Sequence, residues 1–121
     1  RNFISDKKII NLYTDQLKKI KSMKFKNTKF IFTPILSPIH LKKNFELLSN
    51  FEKEKIEIIN KINLNLKNYE DKNFIFLDLV SILHDYNAQD IFIDSCCHLS
   101  SEGSRIVANE INQIILKSQN K

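Results

Sequence analysis

Glycine is nearly absent from this chain: Gly103 is the only one in 121 residues. Doubly wound α/β folds place glycines in the βα turns that hold their ligands, and turns of that kind are missing here. Cysteine occurs only as the neighbours Cys96 and Cys97. Adjacent cysteines pair poorly because the bridging geometry is strained, and no third cysteine exists, so no disulfide framework follows. A structural zinc site draws its thiols from a spaced pair, so Cys96-Cys97-His98 is no zinc signature. The two thiols are expected in a loop, packed beneath the histidine, and they leave the redox compartment open. No apolar run approaches the length of a membrane span, and the chain opens on Arg1 without a signal-peptide pattern. That opening leads us to expect a processed, truncated or cleaved piece of something longer.

Arginine is scarce too, present only as Arg1 and Arg105, so the net charge of +5 is carried by lysine. Nucleic-acid sites cluster Arg and Lys with stacking aromatics in reach, whereas these lysines are scattered among Asn and Ile. The densest run, Lys18, Lys19, Lys21, Lys24, Lys26 and Lys29, reads as a solvated helix end rather than a phosphate track. No nucleic-acid partner is expected.

What is present is an ordinary globular composition, 42% apolar and 27% charged, enough for one domain with a modest core. Asp6 to about Lys24 reads as a helix behind Ser5, with Ile9, Ile10, Tyr13, Leu17, Ile20 and Met23 on one face. Lys29–Thr33 and Asn73–Asp78 read as strands, each with consecutive apolar residues as expected where both faces are covered. Between them, Pro34–Pro38 is extended, and His40 at the end of that loop reads as a surface residue. A helical pattern then runs from Leu41 to Leu66 through Phe45, Leu48, Phe51, Ile59 and Ile62, divided near Ser49-Asn50. Asp78 reads as the cap of a short helix ending at Leu83, with His84-Asp85-Tyr86-Asn87 as a turn. The alternation of helix and strand predicts an α/β fold with parallel strands. Two strands make a poor sheet, which suits the second half of a larger fold.

The residues cease to be generic at Ile91-Phe92-Ile93-Asp94-Ser95-Cys96-Cys97-His98-Leu99-Ser100-Ser101-Glu102-Gly103. An acid and a histidine share a loop between a β-rich apolar triplet and a helix start, and a carboxylate beside an imidazole fixes its tautomer for general-base work. By itself such a pair is an ordinary solvated one. His84 and Asp85 form the rival pair, with nothing catalytic around them. The last helix, Ser104 to about Leu116, takes Ser100 or Ser101 as its cap, Glu102 in its first turn, and Ile106, Val107, Ile111, Ile114 and Ile115 as its buried stripe.

The whole string resembles the C-terminal signature of the SGNH (GDSL-type) hydrolases: an Asp-x-x-His pair, then Leu, a short polar cap, Gly and an amphipathic terminal helix. His98 through Ala108 follows that pattern closely, while three residues rather than two separate Asp94 from His98. For Asp94 to reach the ring, the loop has to bulge by one residue. The resemblance implies the C-terminal half of a three-layer α/β/α (flavodoxin-like) fold with a parallel sheet. Residues 1–121 would then be the C-terminal portion of a single SGNH-hydrolase-like domain. It also implies serine ester hydrolysis through an acyl-enzyme, with His98 as general base and Asp94 orienting it. No metal or organic cofactor is implied. The substrate would be a small ester, with an acylated carbohydrate among the candidates. Such enzymes carry the nucleophile in a Gly-Asp-Ser motif and oxyanion-hole residues in two later motifs, and neither Gly-Asp-Ser nor Gly-x-Asn-Asp occurs in this chain. The implied partner is therefore the missing N-terminal half, in the same polypeptide or as a separate chain. The alternative is a non-catalytic SGNH-like binding or scaffolding domain.

Overall fold

The computed structural model describes residues 6–23, 27–33, 36–41 and 45–119. They fall into two compact units, one within Arg1–Pro34 plus Ser49–Phe76, the other within Ile35–Leu48 plus Leu77–Lys121.

In the first unit, helix α1 (Asp6–Ser22) packs on helix α2 (Asn50–Lys67). Helix α2 begins at the expected division near Ser49-Asn50, with Ser49 as its N-cap: the Glu52 N–H donates to Ser49 Oγ at 3.2 Å, and the Ser49 hydroxyl donates to Glu52 Oε1 at 3.3 Å. The first bond satisfies one N–H that a helix start leaves without a partner, and the second holds the capping hydroxyl in place. Strand β1 (Phe30–Phe32) pairs in parallel with strand β2 (Phe74–Phe76), Phe30 opposite Phe74 and Phe32 opposite Phe76. Because side chains alternate across a strand, the four phenylalanines share one face. Phe30 stacks on Phe74 at 5.0 Å between ring centroids, and Phe32 meets Phe76 at 5.5 Å. That aromatic face closes on Leu17, Ile62 and Leu66 to make the unit's core.

The predicted stripe of α1 is rotated. Leu17 is buried and Ile9 and Ile10 are half-buried, but Tyr13, Ile20 and Met23 are exposed, and Thr14 takes an inward place instead. The reason is polar: the Thr14 hydroxyl donates to Ile10 O at 2.8 Å and accepts from Asn65 Nδ2 of α2. Phe51, expected inside α2, is exposed as well. The strands are three residues each rather than five or six, and only Phe74 is buried, so the double cover expected of them is incomplete. Lys21 departs from a solvated helix end. Its ammonium donates to Tyr69 O at 2.8 Å, pairs with Asp71 Oδ2 at 2.7 Å, and lies 5.3 Å from the Phe74 ring centre. Asp71 in turn accepts from the Asn73 and Phe74 N–H groups, so one carboxylate ties the end of α1 to the start of β2. Lys24 and Lys26, with Pro34 and Ile35 of the extended loop, lie outside the described residues.

In the second unit, the helix expected from Leu41 is replaced by two 3-10 turns, Pro38–Leu41 and Phe45–Leu47; residues 42–44 between them lie outside the description. Asp78 caps helix α3 (Leu79–Leu83) as predicted, accepting the Ser81 N–H at 3.1 Å and the Ser81 hydroxyl at 2.8 Å. A further short helix, α4 (Ala88–Ile91), takes up the first residue of the apolar triplet. The triplet is therefore not a strand. The Phe92 N–H closes α4 on Ala88 O at 2.9 Å, and Phe92 then pairs with Leu99 in a single antiparallel bridge. Helix α5 (Ser101–Gln119) packs on α4, and α4 and α3 pack on the Pro38–Leu41 turn. Ile91 and Leu83 are fully buried, with Ile106, Phe92, Leu79 and Leu41 nearly so. Of the stripe expected on α5, Ile106 is buried, Val107, Ile111 and Ile114 are half-buried, and Ile115 is exposed.

His40 is buried rather than on the surface. The Ser37 N–H donates to His40 Nδ1 at 3.1 Å, while the His40 backbone N–H returns to Ser37 O at 3.0 Å. Nδ1 also lies 3.1 Å from the Ser37 carbonyl oxygen, so the ring packs against both polar ends of the same residue. The ring serves to close the turn.

Candidate active site

The loop from Ile93 to His98 hangs between two anchored points. At its base, Phe92 and Leu99 form the bridge, and the Ile93 N–H donates to His98 O at 3.0 Å. Beyond it, Ser100 locks the start of α5. Its N–H donates to Ile91 O at 2.7 Å, its hydroxyl donates to Asp90 O at 2.5 Å, and Ser100 Oγ accepts the Gly103 N–H at 3.0 Å. Ser100 O also accepts from the Ser104 N–H at 2.9 Å. These bonds make Ser100, one of the two expected caps, the N-cap, with Glu102 and Gly103 in the first turn of a helix that starts at Ser101.

Gly103 is buried where α5 crosses α4. A Cβ there would collide with the Ile91 carbonyl oxygen and press on Ile91 Cγ2 at 3.1 Å. Its φ is not positive, so the position needs glycine for space and not for conformation. The sole glycine of the chain lets the helix that follows the loop approach the helix that precedes it.

Within the loop, the structure brings Asp94 and His98 together. Asp94 Oδ1 accepts three backbone N–H groups: Cys96 at 3.0 Å, Cys97 at 3.0 Å and His98 at 3.2 Å. Its other oxygen, Oδ2, bonds His98 Nδ1. The extra residue is absorbed by bending the chain around the carboxylate, so that successive amides converge on one oxygen. Hydrogen bonding to His98, with the three amides adding to it, holds the Asp94 carboxyl far below the usual carboxylate range. An acid that stays ionised keeps the imidazole proton on Nδ1 and leaves the ring's lone pair on Nε2. The His98 side chain is 71% exposed and the Asp94 side chain 37%, so the ring projects from the surface while the acid is tucked under it.

The other expected features fall differently. Cys96 and Cys97 are both exposed and do not pack beneath the ring, because the inner side of the loop is taken by the Asp94 carboxylate and its amide donors. The rival pair, His84 Nδ1 and Asp85 Oδ1, is 3.4 Å apart with both side chains largely in solvent. Among the described residues, no three His, Cys, Asp or Glu side chains gather as a metal-holding group, and no helix is long and apolar enough to cross a membrane. The three-amide cradle of Asp94 escaped sequence reading. Its only signal was the short loop between two segments that are tied together.

Comparison with curated proteins and with solved structures returned no significant match to either. A family model described as GDSL-like lipase/acylhydrolase matches residues 5–111, most of the chain and nearly all of both units. The mixture of helices with a small parallel sheet agrees with part of the α/β fold that the sequence resemblance implied. On that match, the chain belongs to the GDSL-like lipase/acylhydrolase family.

Proposed function

We propose that this chain supplies the general base of a serine ester hydrolase, with His98 as the base and Asp94 as its orienting partner. The observation that carries the reading is the Asp94 carboxylate, fixed by three amides on one oxygen and bonded to His98 Nδ1 through the other. His98 Nε2 accepts the proton of a serine hydroxyl as its oxygen attacks the ester carbonyl. The imidazolium, stabilised by Asp94, then returns that proton to the departing alcohol oxygen, leaving an acyl-enzyme. In the second half His98 takes a proton from the water that attacks the acyl carbon, then gives it to the serine oxygen as the acyl–oxygen bond breaks and the acid leaves. Backbone amides together with a Gly and an Asn stabilise the tetrahedral oxyanion. No step calls for a metal or an organic cofactor.

No Gly-Asp-Ser occurs in the 121 residues. Residues 1–121 are accordingly read as the C-terminal portion of one SGNH-hydrolase-like domain, with nucleophile and oxyanion-hole residues contributed from outside them, in the same polypeptide or from a second chain. The exposure of the His98 ring supports this, since a base needs an open Nε2 to meet a nucleophile from elsewhere. The substrate class is a small ester, an acylated carbohydrate among the candidates. The same missing motif favours a second reading, a non-catalytic binding or scaffolding domain that kept the fold.

Intact mass spectrometry of the native preparation, before and after a fluorophosphonate that traps activated serines, separates the two. The hydrolase reading expects an adduct on a longer species or on a co-purifying chain. No adduct on any species would leave the binding domain.

A further inference from the structure

The loop carries one pair of reactive groups that ester hydrolysis does not use. Cys96 and Cys97 are adjacent, both exposed, and neither is in a disulfide. Their backbone amides are two of the three donors that hold Asp94 Oδ1. Both residues are exposed, while their backbone amides grip the acid from the inside. Any reaction that joins the sulfurs must therefore act on that grip.

We propose that Cys96 and Cys97 form a peroxide-reactive dithiol, a modification site whose closure to a disulfide pulls amide donors away from Asp94 and misaligns His98. Exposure admits the oxidant, and a resolving thiol stands on the very next residue, within reach of a sulfenic sulfur. One thiolate attacks hydrogen peroxide: an S–O bond forms, the O–O bond breaks, and hydroxide leaves to become water. The second thiolate attacks the sulfenic sulfur, an S–S bond forms, the S–O bond breaks, and a second water leaves. Two thiols are oxidised, and one peroxide is reduced to two waters.

Consecutive Cα atoms lie about 3.8 Å apart across a trans peptide, against roughly 4.4–6.8 Å in ordinary disulfides. The ring that forms contains the Cys96–Cys97 peptide, and the N–H of that peptide is the Cys97 donor to Asp94. Closure turns this peptide, so the donor leaves Oδ1. A strained disulfide is also readily reduced, which makes the change reversible. Its consequence for catalysis rests on reading His98 as the base; the chemistry at sulfur does not.

The test treats the complete protein with hydrogen peroxide, then maps the peptide holding both cysteines by mass and records the ¹H–¹³C signals of the His98 ring. The expected result is loss of two hydrogen masses within one peptide, protection of both thiols from N-ethylmaleimide, and movement of the His98 signals, all reversed by dithiothreitol. Cys96→Ser and Cys97→Ser should each abolish the linkage and the movement. Oxygen added to sulfur without linkage, a disulfide between two copies, or linkage with the His98 signals unmoved would overturn the proposal. These readouts require no ester turnover, so a chain that closes its dithiol yet never labels with a fluorophosphonate refutes the hydrolase reading alone.

Discussion

At the scale of residues, one carboxylate does two things. Asp94 accepts three amides on one oxygen and orients the His98 ring with the other, so local backbone shape and ring tautomer are coupled. If His98 is the base, His98→Ala in the complete protein should lower ester turnover about 10²–10⁴-fold, the usual worth of a general base. His84→Ala should leave turnover nearly unchanged, because its pair stands in solvent. Equal losses from both would sink the site assignment. The depressed Asp94 carboxyl also sets a pH window. In the unfolded chain an aspartate titrates near about 3.9, so the stability this group contributes is present above that value and is lost as pH falls toward the lower folded value. Amide exchange at Cys96, Cys97 and His98 should stay slow through mildly acidic pH and speed up only well below the ordinary carboxylate range. Acceleration already near pH 4 would show that the cradle is not formed. His98 was legible in the sequence because the polar cap, the glycine and the amphipathic helix follow it in order. Asp94 was less so, because no spacing rule says how a loop spends an extra residue.

At the scale of elements, α4 and α5 form a clamp around the loop, closed by Ser100 and permitted by Gly103. Ser100→Ala removes the N-cap and a hydroxyl bond to Asp90 O, and should cost about 1 kcal/mol in urea unfolding. Gly103→Ala forces a methyl group against backbone rather than against a yielding side chain. It should cost about 1–3 kcal/mol despite alanine's better helix propensity. A neutral or stabilising Gly103→Ala would mean that the two helices do not meet as closely as described. The last helix and the Asp78 cap could be read from the chain, since both rest on contacts three or four residues apart. Helix α4 could not. Ile91-Phe92-Ile93 carries strand-forming residues, and only burial of Ile91 against α5 resolves that local preference toward a helical turn.

At the scale of the whole molecule, the described residues build two modest cores, and a single buried side chain is a large share of either. Leu83 is fully buried, so Leu83→Ala should cost about 2–5 kcal/mol, against the roughly 5–15 kcal/mol of a typical domain. Urea unfolding of the variant checks this, and a loss under 1 kcal/mol would mean that the surroundings collapse freely onto the site. Local pattern in the chain was enough for the long helices α1, α2 and α5, the two strands with their parallel pairing across a helical crossover, and the family. These depend on periodicity, capping and motif order, which are local. Contacts made in three dimensions settled which face of α1 turns inward, that His40 is buried, that both cysteines are exposed, and how Asp94 reaches His98. Each of those outcomes depends on a polar group finding its partner or a side chain finding space. Partners such as Asn65 for Thr14 lie far away in the chain, and no local pattern records them.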